Sequence, residues 1–187
     1  RTQEALKAGV ELLAAVPSVV FGFIGLLMVG PWLAKTFNLP IGQFAALGSL
    51  LLAFMSIPTI VSVSEDALHA VPRSMRDNSL ALGATKWQTI SRVVVPAARS
   101  GIIAAFLLGL GRAIGETMTV LMVTGNAAVI PHGLSGFLQP IRTMTATIAA
   151  EMGETAFHTP HYYALFMVGL LLFIITLIVN IVADVAI

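Results

Sequence analysis

Residues 101–124 read GIIAAFLLGLGRAIGETMTVLMVT, and this run determines the class of the protein. Its 24 residues (124 − 101 + 1) are apolar except for Arg112 and Glu116 near the middle. A helix rising about 1.5 Å per residue would cross the roughly 30 Å hydrocarbon core of a bilayer, with Arg112 about 16 Å from its start. The run therefore predicts a membrane-spanning helix with two charges close to the midplane.

The two charges determine what this span can do. Each costs on the order of 2.5 to 3.5 kcal/mol at a membrane helix centre, so both must face protein or a wet cavity. Because residues four apart share a helical face, Arg112 and Glu116 are expected to pair, with Thr119 on the same stripe. The Gly111 to Gly115 spacing would let another helix or a solute approach the backbone closely. A structural ion pair is one interpretation, and an anion path is favoured because intramembrane charges are functional by default.

Composition indicates that the whole chain is a membrane protein. The 187 residues are 57% hydrophobic and 10% charged, with a mean hydropathy of +0.93, whereas soluble domains have about 25% charged residues. The basic residues are dispersed without interleaved aromatic residues, so nucleic acid is not an expected partner. The chain has no cysteine, which excludes disulfides, thiolate nucleophiles and cysteine metal sites. The expected fold class is an all-α polytopic bundle.

Four apolar spans are predicted, at residues 10–34, 43–63, 101–124 and 162–183. Pro17 predicts a kink in the first span and Pro31 its end, and Pro58 predicts irregular last turns in the second. The short loop at residues 35–42 makes the first two spans antiparallel neighbours. Tyr162 and Tyr163 fit an interfacial anchor at the start of the last span.

The distribution of Lys and Arg predicts the orientation of the chain. The amino end and residues 64–100 together carry seven (2 + 5), whereas Lys35 and Arg142 lie on the other side. The positive-inside bias places residues 64–100 in the cytoplasm and residues 126–161 outside. The chain begins without methionine or a signal-peptide pattern, so residues 1–187 are expected to be one transmembrane domain from a longer protein, with further amino-terminal spans missing.

Residues 73–96 predict an amphipathic cytoplasmic hairpin. Leu80, Gly83, Trp87 and Ile90 recur at helical spacings, and Gly83 is expected to separate two short helices. Composition alone favours an ordinary membrane-surface helix with Trp87 among the lipid headgroups.

The order of residues in this hairpin resembles the coupling loop of ABC importer permeases. The family pattern is Glu-Ala-Ala, three residues, Gly, nine residues, Ile, one residue, Leu-Pro. This chain has Asp77-Asn78-Ser79, three residues, Gly83, nine residues, Val93, one residue, Val95-Pro96, so the spacing is retained and the first triplet differs. The resemblance implies that the loop sits in a cleft of a cytoplasmic ATPase, whose closure on ATP moves the membrane helices. The residues expected at this contact are Gly83, Ala84, Thr85, Lys86, Trp87 and Pro96.

Residues 111–118 (GRAIGETM) and 143–154 (TMTATIAAEMGE) are similar to the PstC-type permease subunits of bacterial phosphate ABC importers. The resemblance runs over about residues 11–180. It implies a permease rather than an enzyme, with Arg112 and Glu116 on the phosphate path. Thr119 joins them through its place on the predicted stripe. No catalytic residue, metal site or bound cofactor is expected in this chain, since ATP would be bound by separate ATPase subunits.

The same resemblance implies several partners. They are a paralogous permease subunit forming a heterodimer, a cytoplasmic ATPase dimer, an extracytoplasmic phosphate-binding protein and membrane lipid. The implied location is the bacterial inner membrane. Residues 143–150 fit either a re-entrant or a surface helix, and Glu151 and Glu154 are candidates for contact with the external binding protein.

Phosphate suits the predicted pair chemically. A guanidinium binds two phosphoryl oxygens at once. Phosphate near neutral pH also retains a hydroxyl, absent from sulfate, that could donate a hydrogen bond to an ionised Glu116. Three alternatives remain open: Glu116 only holds Arg112 in the empty site; the substrate is sulfate or another oxyanion; or the chain is a membrane receptor or anchor whose cytoplasmic loop binds a signalling protein. His132, His158 and His161 lack the further ligands of a metal site.

Overall fold

The computed structural model describes residues 9–10 and 12–186. Within these residues the architecture is all-α without a strand, and a single bridge pairs Gly125 with Ile141. Helical residues 12–15 precede eight helices, which are α1 (Ser18–Phe37), α2 (Ala45–Ala70), α3 (Arg73–Ala81), α4 (Lys86–Ala97), α5 (Arg99–Ile114), α6 (Met118–Val123), α7 (Met144–Glu151) and α8 (Pro160–Ala186). A 3-10 turn at Leu134–Leu138 lies between α6 and α7.

Three helices in the described part are long and apolar enough to cross a membrane: α1, α2 and α8. Helices α4 and α5 together would make a fourth span, bent by 65° at the break between them. The predicted all-α polytopic bundle is therefore confirmed, although one of its spans is not straight.

The first span is broken near Pro17, where a kink was predicted, and its main helix ends later than predicted. The chain breaks at Pro17, but α1 continues past Pro31, so the predicted end there is wrong. A π-helical turn at Gly25–Val29 lies directly before Pro31. Its wider turn accommodates the proline ring and the missing proline N–H without ending the helix. The helix ends at Asn38, whose φ of 54° is left-handed, as is common at helix ends.

The second span is one continuous helix, so the predicted irregular turns after Pro58 are wrong. Pro58 is itself buried, and neighbouring helices support the backbone around it. Ser56 contributes to this support, because its hydroxyl donates to Leu52 O at 2.8 Å and lies 3.2 Å from Gly109 O of α5. Helix α2 also continues to Ala70, into the region predicted to be a loop.

The predicted single helix over residues 101–124 is wrong. Helix α5 ends at Ile114 and α6 begins at Met118, so residues 115–117 interrupt the span. The glycines at 109, 111 and 115 weaken the helix here, because each costs about 1 kcal/mol relative to alanine in a helix interior. Arg112 consequently lies in the last turn of α5 and Glu116 lies in the break itself, so no continuous stripe joins them to Thr119.

The main core includes the carboxyl end of α6. It contains the buried residues Phe44, Leu47, Leu51 and Val123. Gly25 of α1 approaches this core so closely that a Cβ there would lie 2.4 Å from Leu51 and 2.8 Å from Val123. At Gly111 and Gly115, in contrast, the nearest atoms to a Cβ are 3.8 Å away, so the close helix approach predicted there is not found in the described chain.

Candidate functional site

Arg112 lies in the last turn of α5, on the face that packs against α2. The contact is close, because a Cβ at Gly109 would lie 2.5 Å from Ile60 of α2. Arg112 Nη1 donates to Thr59 Oγ1 at 3.1 Å, and the side chain is exposed. Nε and Nη2 have no hydrogen-bond partner within the described residues. The side-on edge of the guanidinium, which can bind two oxygens together, is therefore free.

Glu116 lies inside the break and is half-buried. Its Oε1 accepts from Thr119 N at 3.3 Å and lies 3.4 Å from Thr119 Oγ1. A carboxylate is favourable here, because the first N–H groups of α6 carry partial positive charge. The predicted pairing with Arg112 is wrong: the two described side chains form no ion pair, since the helix ends between them. Oε2 has no hydrogen-bond partner in the described part of the chain.

The break is held by α7. Thr145 Oγ1 donates to Glu116 O at 2.9 Å, which satisfies a carbonyl that the interrupted helix leaves free. Thr145 and Ala146 are buried, and Thr143 caps the start of α7 by accepting from Ala146 N at 3.3 Å. Helix α7 therefore packs against the broken span through its first turn.

Thr119 is fully buried, with 0% exposure. Its hydroxyl donates to Ser18 O at 2.9 Å and so joins α6 to α1. Thr119 reaches the candidate site only through Glu116, whose carboxylate its N–H holds. Its position is that of a residue that orients Glu116.

The carboxyl end of α6 is fixed by neighbouring segments. The carbonyls of residues 122, 123 and 124 accept from the Gln43 side chain, the Phe44 N–H and the Ile141 N–H, at 3.1, 3.1 and 2.8 Å. A six-residue helix is marginal alone, and these three bonds hold it in the bundle. The orientation of Glu116 at its other end is thereby also fixed.

The predicted hairpin forms a second candidate surface. Gly83, with φ of 85°, separates α3 from α4 as predicted. Thr85 begins α4 with a reciprocal cap, in which Thr85 N donates to Gln88 Oε1 at 2.9 Å and Gln88 N donates to Thr85 Oγ1 at 3.3 Å. Two large apolar side chains at the tip are strongly exposed, Leu82 at 89% and Trp87 at 75%.

Further contacts join the two helices of the hairpin. Ser79 and Thr89 join α3 to α4 through their hydroxyl oxygens, 3.0 Å apart. A π-helical turn at Ile90–Val94 precedes Pro96, as the turn in α1 precedes Pro31, so Pro96 is accommodated in the same way. The remaining predicted contact residues are half-buried or exposed: Ala84 and Lys86.

The connection between α6 and α8 contains a small charged cluster. Glu151 pairs with Arg142 through Oε1 and with His161 Nε2 through Oε2, at 2.8 Å in the second case. His158 instead contacts the Tyr163 hydroxyl at 3.0 Å. Among the described residues no group of three or more His, Asp or Glu side chains is arranged to hold a metal ion.

Sequence reasoning missed Thr59 and Thr145. Each is a single hydroxyl in an apolar or small-residue segment, and such residues commonly bond to their own helix. Their roles depend on how α2 and α7 pack against the broken span, which brings Thr59 to Arg112 and Thr145 to Glu116 O. Within the sequence, the only signal is that a hydroxyl inside an apolar segment needs a partner.

The family described as "Binding-protein-dependent transport system inner membrane component" matches residues 1–186. The chain is 40% identical to the probable ABC transporter permease protein YqgH of Bacillus subtilis, over 93% of this chain and 55% of the relative. It is 34% identical to the phosphate transport system permease protein PstC of Haemophilus influenzae (93% and 60% covered) and 35% identical to that of Mesorhizobium japonicum (91% and 57%). It thus spans 55 to 60% of the length of these relatives. No solved structure gives a significant match.

Proposed function

The chain belongs to the family of binding-protein-dependent transport system inner membrane components, and we propose that it is a permease subunit of an ATP-driven phosphate importer. The relatives named above are transport permeases, which supports a role as a multi-pass membrane transport component. One observation carries the choice of an anion as substrate. Arg112 is an exposed cation at the end of an apolar helix, without a carboxylate partner in the described chain.

Arg112 is proposed to bind phosphate directly. Thr59 holds Nη1, which leaves Nε and Nη2 to donate in parallel to two phosphoryl oxygens. A guanidinium combines positive charge with paired donors in a planar arrangement, which suits a phosphate group.

Glu116 is proposed to distinguish phosphate from sulfate. Thr119 fixes Oε1, and the free Oε2 would accept a hydrogen bond from the hydroxyl that phosphate retains near neutral pH. Sulfate has no such proton and would be repelled by the carboxylate. The arrangement supports a selective role for Glu116 over simple neutralisation of Arg112.

The hairpin is proposed to couple this site to ATP hydrolysis. Its tip, with Gly83, Trp87 and their neighbours, would seat in the ATPase. A second buried cluster, Val71, Val94 and Ala98, packs with Ala67, Leu68 and Ile102 and ties the hairpin to the adjoining ends of α2 and α5. These two helices also carry Thr59 and Arg112, so a rigid-body movement of the hairpin would reach the anion site through both.

Three further partners are proposed to complete the transporter. A paralogous permease subunit would complete the path on the open side of Arg112, an ATPase dimer would bind ATP, and an external phosphate-binding protein would deliver the substrate. The proposed location is the bacterial inner membrane, with residues 64–100 cytoplasmic and residues 126–161 extracytoplasmic.

Uptake by the complete transporter tests this function. Vesicles containing the transporter, loaded with ATP and supplied with the binding protein, should accumulate labelled phosphate, and excess sulfate should not compete. A receptor or anchor would give no ATP-dependent accumulation. Equal competition by sulfate would show a general oxyanion permease and would remove the role proposed for Glu116.

A further inference from the structure

Between Glu116 and Arg142 the chain is uncharged. These 25 residues, 117–141 (141 − 117 + 1), contain no Asp, Glu, Lys or Arg. Helix α6 takes up the first part, and the rest forms a loop whose end is bonded to the start of α2, where Ala45 N donates to Gln139 O at 3.1 Å. The loop exposes five large apolar side chains: Val129, Ile130, Leu134, Phe137 and Leu138. An exposed apolar patch of this kind marks a contact with a protein or a membrane.

The base of the loop is tied to α8. Arg142 Nε donates to Asn126 O at 3.1 Å, which joins the two ends of the loop. Arg142 also pairs with Glu151, and Glu151 pairs with His161 in the first turn of α8. The base of the loop therefore lies at the level where α8 begins.

The amino end of α8 has the features of a membrane interface. Its aromatic rings form a cluster with centroids 4.9 to 6.0 Å apart, consisting of Phe157, Tyr162, Tyr163 and Phe166. Tyrosines at the end of an apolar span lie at the headgroup level of a bilayer. The apolar side chains of the loop thus emerge at the depth where headgroups meet acyl chains.

We infer that residues 127–138 form a membrane-inserted loop, with Leu134 and Phe137 among the lipid headgroups and upper acyl chains of the leaflet that holds the amino end of α8. The run of 25 residues contains no Asp, Glu, Lys or Arg, so insertion of the loop would bury no such charge in the bilayer. Insertion is limited to the interface. The loop has few internal backbone bonds, such as Gly136 N to Gly133 O at 3.2 Å, and its other polar groups need water.

A fluorescent label on the loop tests this inference. The chain has no cysteine, so Leu134→Cys introduces a single labelling site in this chain. Glu154→Cys, an exposed position on the next connection, is the matched control. Each variant is labelled with bimane in the complete transporter, with cysteines elsewhere in the complex replaced, and reconstituted in phosphatidylcholine vesicles.

We expect iodide in the water to quench the Leu134 label several-fold less than the Glu154 label. Phosphatidylcholine with a nitroxide near the headgroup should quench the Leu134 label strongly. Equal iodide quenching at both positions would place the loop in water and overturn the inference. Protection of the Leu134 label from both quenchers would show that protein covers the loop, which would also overturn it. Phe137→Cys provides an independent second position.

Discussion

Arg112 Nη1 lies 3.1 Å from Thr59 Oγ1, and this contact joins the last turn of α5 to α2. A hydroxyl can orient a guanidinium but cannot neutralise it. The positive charge therefore stays available, and its direction is fixed by a neighbouring helix. This combination is what binding of an anion requires.

Replacing Thr59 by valine should weaken transport without unfolding the protein. Valine keeps the shape and removes the acceptor, and a hydrogen bond to a charged group is worth about 1.5 to 3 kcal/mol, or roughly 10- to 100-fold. We expect phosphate uptake at low concentration to fall by about this factor. Thr176→Val is the matched control, because Thr176 bonds only to carbonyls of its own helix. Equal uptake by both variants would show that Thr59 does not orient the site.

Glu116→Gln should change selectivity more than stability. Glutamine retains an oxygen that can accept from Thr119 N, so the start of α6 stays capped, but the carboxylate proposed to repel sulfate is lost. We expect sulfate to become a competitor of phosphate uptake at normal protein levels. Loss of folded protein, with discrimination unchanged in what remains, would assign Glu116 a structural role.

Thr145→Val should loosen the broken span. The change leaves Glu116 O without its partner, and an unsatisfied buried group costs about 1 to 3 kcal/mol. We expect a lower thermal unfolding temperature in detergent. Thr147→Val, two residues further along α7, removes a bond to Thr143 O within the same helix and should have a smaller effect. Similar shifts for the two variants would show that the contact with the break contributes little.

Gly83→Ala should strain the hairpin. A Cβ there meets no atom within 4 Å, so the cost comes from the backbone, whose φ of 85° disfavours L side chains by about 1 to 2 kcal/mol. Gly153→Ala is the control, because that site is equally open and has no positive φ. We expect faster amide exchange in α3 and α4, and less phosphate moved per ATP hydrolysed, only in the Gly83 variant. Unchanged exchange would mean that the turn relaxes without loss.

Hydropathy was sufficient to predict the long helices α2 and α8. Each is one apolar run whose backbone hydrogen bonds are satisfied within the helix itself. It did not predict the break after α5. An average over residues 101–124 hides the glycines, and the break is stabilised by Thr145, which lies 29 residues beyond Glu116 (145 − 116). A tertiary contact of this kind leaves no local signal.

The partners of the two charges were mispredicted for the same reason. The spacing of Arg112 and Glu116 would pair them only within one continuous helix. Arg112 instead donates to Thr59. Gly109 of α5 allows α2 to pack closely, and this packing places Thr59 beside Arg112. The hairpin was predicted better, since Gly83 and the cap formed by Thr85 and Gln88 act within a few residues.

Phosphate uptake by Arg112→Gln, measured in the complete transporter at matched protein level, tests the account most directly. Glutamine keeps a donor for Thr59 and removes the charge and the free edge of the guanidinium. We expect uptake to fall to the level seen without ATP, with Arg112→Lys intermediate because lysine keeps the charge but not the bidentate geometry. Uptake by Arg112→Gln close to that of the unchanged transporter would contradict the account.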